Sequence, residues 1–335
     1  MREDIIATKK EKLATLTSAF GTAYPEKATR THTSKEVLDQ FDTLASTATA
    51  VSVVGRVRSL RVMGKIAFCH LEDGSGQIQG FFSLETLGDE TFSLFKKNVE
   101  LGDFLSFTGT VFLTKQNEKS IRVEKWEMLS KSLLPIPTEF YGLKDEEELL
   151  RRRYLDLLMN PEIKELFVKK NLFWQTIRTT LTQGGFLEVQ TPVLEHVPGG
   201  AEAEPFKTHH NALDQDFYLR ISLELPLKRL LVGGYERVFE IGRVFRNEGI
   251  DREHLQEFDH MEFYSAYMNM EQGMALVETL FKNVARAVIG ETMQTTYEED
   301  IIDWSKPFPQ VDYFTEFKKE TGIDLSSDVS VDELR

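Results

Sequence analysis

Residues 246–264 read RNEGIDREHLQEFDHMEFY. Arg246 and Glu248 precede a turn of mixed charge, His254 follows it, and Phe258, Glu262 and Tyr264 return at even spacing. Alternate residues of an extended strand share a face. On RVFEIGRVFR, residues 237–246, Glu240, Gly242, Val244 and Arg246 therefore lie together, with Glu248 continuing that side. Glu262 and Tyr264 share a face on the returning strand, and Tyr218, Arg220, Ser222 and Glu224 share one on FYLRISLEL, residues 217–225. If these faces point the same way, the floor suits a small zwitterion: arginine receives a carboxylate or phosphate, and glutamate receives an ammonium. Any solvated antiparallel sheet also alternates polar and apolar residues, so the turn carries the distinction. There Arg246, Arg252 and His254 would clamp phosphates, and Phe258 offers a face on which a flat base can stack. The chain has no Walker-type glycine loop and no GxGxxG run, so nucleotide binding would depend on side chains.

The elements that must hold these residues fall into two kinds. From about residue 50 to 130, AVSVVGRVRSLRVMG, KIAFCHLEDGSGQIQGFFS, DFLSFTGTVFLTK and KSIRVEKWEML alternate apolar and polar residues between glycine turns. That pattern predicts a small five-stranded barrel of the oligonucleotide-binding (OB) type. Residues 1–49 read as a helix and a polar linker, with Thr33 or Ser34 capping a short helical pattern. Residues 132–155 read as a linker entering helix, and 156–335 as a second domain. In it, residues 163–182 suit an amphipathic helix with Leu166, Phe173, Trp174, Ile177 and Leu181 at helical spacing, stopped by Gly184 and Gly185. FLEVQTPVL reads as a strand leading to Pro192, PLKRLLVGG as a short helix, HMEFYSAYM as a strand, and 271–288 as another helix. Strands joined by hairpins and flanked by helices predict an α+β fold on a mainly antiparallel sheet.

Bulk properties narrow the class. The 335 residues allow roughly two domains. The single cysteine, Cys69, excludes a disulfide framework and a thiolate metal cluster. A charged N-terminus and the lack of long apolar runs point to a cytoplasmic protein with no membrane partner. The net charge of −14 argues against indiscriminate nucleic-acid binding. Residues 51–131, however, carry 11 Lys and Arg against 10 Asp and Glu, so local phosphate contacts remain open to the barrel.

The run VPGGAEAEPFKTHHNALDQDFYLRISLELPLKRLLVGGYERVFEIGRVFRNEGIDREH, residues 197–254, resembles the bacterial-type class II lysyl-tRNA synthetases, a likeness that extends over nearly the whole chain. GGFLEVQTPVL resembles the first class-defining motif, whose proline, here Pro192, lies at a homodimer interface. FRNEGIDREHLQEFDHMEFY resembles the second. The resemblance implies that Arg246 holds the ATP α-phosphate and the amino-acid carboxylate, and that Glu248 accepts from adenine. His254 would face the terminal phosphate and Phe258 would stack on adenine. It further implies that Gly200 and Glu224 hold the α-amino group of L-lysine, and that Glu262 and Tyr264 receive its side-chain ammonium. On the barrel it implies that Arg61, Phe68 and Gln79 bind the anticodon of tRNA(Lys); barrel core is the other reading of Phe68, and a solvated strand face that of Arg56, Arg58 and Arg61. A further anticodon glutamate aligns with Lys125, with Glu124 and Glu127 as substitutes.

Three departures stand out. The family run APEL-Y-LK is here SLELPLK, and HNPEFT is HLQEFD. The third class motif, and the acidic residues that hold Mg2+, are expected beyond Arg335, so the chain reads as C-terminally truncated with impaired adenylation. A noncatalytic tRNA-binding or dimerising fragment is the alternative. A paralogue that lysylates a protein is a further one, although such relatives typically lack the barrel.

Overall fold

A computed structural model describes residues 2–134, 145–249, 251, 253–326 and 329–331. Arg252 lies outside the described residues. The chain divides into two compact units, Met1–Met159 and Asn160–Arg335.

The first unit begins with three helices, α1 (Arg2–Phe20), α2 (Ser34–Asp39) and α3 (Phe41–Thr47). Thr33 caps α2: its hydroxyl accepts from Glu36 N while the Glu36 carboxylate accepts from Thr33 N, satisfying two donors that the first turn leaves open. Five strands follow, β1 (Ala50–Met63), β2 (Ile66–Glu72), β3 (Gln77–Ser83), β4 (Phe104–Leu113) and β5 (Lys119–Ser130), with α4 (Leu84–Asn98) between β3 and β4. They close into a barrel in the order β1-β2-β3-β5-β4. The long β1 serves two neighbours: residues 50–56 pair with β4 and 56–63 with β2, with an irregularity between Val57 and Ser59. Alternation sorts β2 cleanly. Ala67, Cys69 and Leu71 are buried, whereas Phe68, His70 and Glu72 face outward and are half-buried.

Inside, Phe82 stacks on Phe95 of α4 at 3.8 Å, and Trp126 meets Phe95 and Phe20 edge-on. A buried ion pair closes one end: Lys131 Nζ lies 2.9 Å from Asp103 Oδ2 and 2.7 Å from Glu100 Oε2. Burial pushes the Glu100 carboxyl up, but bonds from Lys12 and Lys131 outweigh it and carry the group to about 2. Helices α5 (Glu146–Arg151) and α6 (Arg153–Met159) complete this unit.

The second unit opens with α7 (Pro161–Gln183). Proline in the first turn forfeits only a donor that has no intrahelical partner, and Gly184 and Gly185, the latter with φ +81°, end the helix. The apolar stripe is buried only toward the C-terminal end. Ile177 and Leu181 are core, whereas Leu166 and Phe173 remain exposed, because the helix packs on α9 and the sheet through its second half.

Four short strands, β6 (Leu187–Glu188), β7 (Leu194–Glu195), β8 (Lys207–His210) and β9 (Gln215–Leu219), lead to α8 (Glu224–Val232). The hairpin β10 (Arg237–Phe245) and β11 (Glu257–Ser265) follows, then α9 (Met270–Ile289), the hairpin β12 (Gln294–Tyr297) and β13 (Asp300–Asp303), and α10 (Tyr313–Thr321). One sheet runs β11-β10-β6 and another β7-β9-β8; all pairings are antiparallel except β6 with β10.

Two expected strands change length. FYLRISLEL stays extended only to Leu219, and Glu224 already begins α8. HMEFYSAYM is extended only to Ser265, although its strand starts earlier, at Glu257. Beneath the sheet, Phe239, Ile241, Met261 and Phe263 pack on Ile177 and Leu181 of α7 and Leu280 of α9. The opposite face of the hairpin carries a smaller apolar cluster, Val238 and Val244 with Leu223 and Leu227, alongside its polar groups.

Candidate active site and nucleic-acid face

Register settles which charges share that face. Val238 pairs with Tyr264, Glu240 with Glu262, Gly242 with His260 and Val244 with Phe258. These eight lie on the side opposite the core face. Arg220 and Glu240 do not belong to an open floor, however. The Arg220 guanidinium lies 2.6 Å from Glu240 Oε1 and donates to the carbonyls of Arg243 at 2.8 Å and Thr191 at 3.1 Å. Glu240 Oε2 accepts from Thr191 N and Oγ1, and both side chains are 3% exposed. Strand parity misplaced Arg220 because the strand has ended, and a buried charge survives only when paired and fully bonded. Gly242 makes room for it: a Cβ there would sit 2.2 Å from Arg220 Nη2.

Glu262 is different. Its Oε1 accepts from Ser222 Oγ at 2.7 Å and Leu223 N at 2.9 Å, with His260 Nε2 at 3.1 Å; its Oε2 accepts from Tyr264 Oη at 2.9 Å. Burial raises its carboxyl, but the bonds from His260, Ser222, Leu223 N and Tyr264 prevail and hold it at about 2. Tyr264 is pushed well up by burial and by the carboxylate beside it. The pair therefore presents a fixed anion beside a neutral phenol across the ordinary pH range.

Ser222 links this anion to a second pair. Its hydroxyl also accepts from Glu224 N at 3.1 Å. Gly200 sits against both residues with φ +85°, and a Cβ on it would lie 2.9 Å from Ser222 Oγ and from Glu224 Cβ. The Glu224 carboxylate accepts from Lys228 at 2.6 Å. Gly200, Glu224, Glu262 and Tyr264 are thus brought together around one serine. Pro226 falls in the first turn of α8, where a missing N–H costs nothing.

Arg246 lies one residue beyond β10. Its Nε and Nη2 lie 3.4 Å from Ile221 O, and its guanidinium carbon is 5.3 Å from the Phe258 ring centroid. Among the described residues it makes no ion pair, so its charge is available to an anion. Glu248 accepts from Glu204 N at 3.3 Å, and Asn247 N donates to Glu204 O at 2.7 Å. His254 pairs through Nδ1 with Asp251 at 2.7 Å on an exposed turn. Backbone N–H groups of Glu253 and His254, together with that imidazole, hold the Asp251 carboxyl below its usual range. Pro192 is exposed and lines an open cavity of about 540 Å3 with Thr191, Glu195 and Pro226. Among the described residues no cluster of three or more His, Cys, Asp or Glu could hold a metal ion. No helix among them is long and apolar enough to cross a membrane.

In the first unit, Phe68 faces outward and is not barrel core. Arg56 lies over Phe104 at 4.3 Å and Arg58 pairs with Glu72 at 3.1 Å. Arg61, opposite Phe68 in the register, makes no ion pair among the described residues. Gln79 accepts from Ser120 Oγ at 2.8 Å and lies 3.4 Å from His70 Nε2. His70 in turn contacts Ser59 Oγ at 2.7 Å and donates to Glu118 Oε1 at 2.9 Å. The glutamate brought toward Gln79 is therefore Glu118. Lys125 instead pairs with Thr108 in the register and with Glu127 at 2.6 Å. Ser222 was placed by parity on the polar face but given no role, and His260, His70 and Glu118 were not singled out by the sequence reading; the one signal for His260 was its parity with Glu262.

An OB-type barrel in one unit and, in the other, an antiparallel hairpin carrying carboxylates and followed by an arginine are features that a class II tRNA synthetase combines. Accordingly, residues 145–332 match the family model described as tRNA synthetases class II (D, K and N), and residues 51–129 the OB-fold nucleic acid binding domain. Curated relatives named lysine--tRNA ligase are 40% identical in Halalkalibacterium halodurans and 42% in Enterococcus faecalis, each over 99% of this chain and 67% of the relative. One from Roseiflexus castenholzii is 46% identical over 94% of this chain and 64% of its own length. The chain belongs to the lysine–tRNA ligase family of that class and spans about two thirds of the length of these relatives.

Proposed function

We propose that the chain binds L-lysine and ATP on the polar face of the β10–β11 hairpin, and that its barrel binds the anticodon of tRNA(Lys), as a cytoplasmic homodimer. The observation that carries this reading is Glu262: a carboxylate kept ionised at about 2 with a neutral tyrosine beside it suits a lysine ammonium. Gly200, through its backbone, and Glu224 receive the α-amino group. Arg246 takes the substrate carboxylate and the α-phosphate, with adenine between Glu248 and Phe258 and the terminal phosphate toward His254.

The lysine carboxylate oxygen attacks the α-phosphorus in line; an O–P bond forms, the bond to pyrophosphate breaks, and lysyl-adenylate results. The terminal ribose hydroxyl of tRNA then attacks the lysyl carbonyl, displacing AMP. No protein nucleophile is required: alignment, and a cation where charge develops, lower the barrier. On the barrel, Phe68 stacks a base while Gln79, Arg61 and Glu118 meet its edges. The dimer places the Pro192 face against a second copy, a role consistent with the exposed Val193, Leu194 and Val197 around it.

Calorimetric comparison of lysyl-, aspartyl- and asparaginyl-adenylate analogues tests the reading. The lysyl analogue is expected to bind at least about tenfold more tightly, since the fixed Glu262 carboxylate attracts an ammonium and repels an acidic side chain. Equal or preferred binding of the aspartyl analogue would overturn it.

A further inference from the structure

One oxygen of Glu262 is oversubscribed. Ser222 Oγ lies 2.7 Å from Oε1, Leu223 N 2.9 Å and His260 Nε2 3.1 Å, whereas among the described residues only Tyr264 Oη reaches Oε2. A carboxylate offers about two lone-pair sites on each oxygen. The third and longest contact on Oε1, that of His260, is therefore the one that yields, and Oε2 keeps a site for an incoming donor. The imidazole also has somewhere to go: its side chain is 31% exposed, against 14% for Glu262.

The charges around the imidazole leave Glu262 as its partner. Gly242, opposite His260 in the register, makes room for Arg220, but that guanidinium is committed to Glu240 at 2.6 Å. Phe258 meets the imidazole edge-on at 5.9 Å, and Arg246 stands over that ring rather than over the histidine. Beside Tyr264, Lys228 is paired with Glu224. Both of these ion pairs are neutral as wholes.

We propose that His260 is the resident partner of Glu262 in the empty lysine pocket, and that the substrate ammonium displaces it, expelling one proton. Imidazole is the side chain that gains or loses a proton near neutral pH. With His260 protonated, an ammonium arriving at Oε2 puts two cations on one carboxylate. The repulsion is relieved when the imidazolium gives a proton to the solvent and turns outward. Glu262 is held at about 2, so the proton is the histidine's and not the carboxylate's. Affinity for lysine therefore falls as the pH falls, whereas an ion pair that only braced Glu262 would leave it indifferent to pH. The proposal rests on the reading of Glu262 as the lysine carboxylate.

Calorimetric titration with a nonhydrolysable lysyl-adenylate analogue, at about pH 5.5 and about pH 7.5, reads affinity at both ends of the range in which imidazole titrates. Two buffers of different ionisation enthalpy count the protons exchanged. The full chain is compared with His260→Gln, which keeps a donor but cannot titrate, and with His260→Leu, which keeps neither. The α-amine of the analogue and the other histidines titrate alike in all three proteins. Relative to the variants, the unaltered chain is expected to lose about tenfold in affinity at the lower pH and to release about one more proton there. If both variants keep the pH difference and proton count of the unaltered chain, His260 does not compete with the substrate and the proposal falls. Glu262→Gln, titrated alongside, then separates the two readings: weakened binding leaves the lysine reading standing, and unchanged binding takes both down.

Discussion

Ser222→Ala removes one hydroxyl and disconnects two halves of the candidate lysine site. Ser222 donates to Glu262 at 2.7 Å and accepts from Glu224 N at 3.1 Å, and it is 3% exposed. A hydrogen bond to a charged group is worth about 1.5–3 kcal/mol. The Glu224 N–H is a first-turn donor with no intrahelical acceptor, and losing such a cap costs about 0.5–2 kcal/mol. Near neutral pH the variant should therefore lose about 2–5 kcal/mol.

The pH dependence divides this loss. The Glu262 carboxyl is lowered from 4.5 to about 2. A lowered folded value contributes stability that is present above the unfolded value and lost as pH falls through the folded one. Without the serine the folded value rises toward 4.5, so the Glu262 share of the penalty shrinks between pH 4.5 and 2 while the Glu224 share remains. Urea unfolding at pH 7 and pH 3, followed through Trp174 and Trp304 of the second unit, reads both effects. A penalty below about 0.5 kcal/mol, or one equal at the two pH values, would refute the reasoning.

Glu240→Ala should cost about 3–5 kcal/mol, because it strands the Arg220 charge in the interior; Arg220→Met/Glu240→Leu should recover much of that by the same urea assay. Gly200→Ala should add about 1–2 kcal/mol of backbone strain at φ +85°, and its methyl would displace Ser222 and Glu224. Binding of a lysyl-adenylate analogue should then fall at least about tenfold, measured by calorimetry.

Much of the fold was legible because barrel strands and hairpins follow local alternation. Of the two N-cap candidates, Thr33 and Ser34, it is Thr33 that caps α2, and the even-numbered residues of β10 and β11 share a face as their spacing implied. What stayed hidden depends on pairings distant in sequence. Arg220 looked like a ligand residue because alternation cannot show that its strand stops at Leu219, or that Glu240 is its partner. Ser222 and His260 converge on Glu262 only when the start of α8 meets the hairpin. Glu118 meets His70, which in turn lies against Gln79, through the closure of β3 on β5, a parallel pairing that no local pattern reveals.

The central claim is that Glu262 receives a cationic side chain. Its most direct test is calorimetric titration of the folded chain and of its Glu262→Gln variant with a nonhydrolysable lysyl-adenylate analogue. The variant keeps the shape and loses the charge, forfeiting a charge-assisted bond of about 1.5–3 kcal/mol, or about 10- to 100-fold in affinity. Binding by the unaltered chain, weakened to that extent in the variant, is the predicted result. Equal affinities, or no binding by a folded, unaltered chain, would contradict the account.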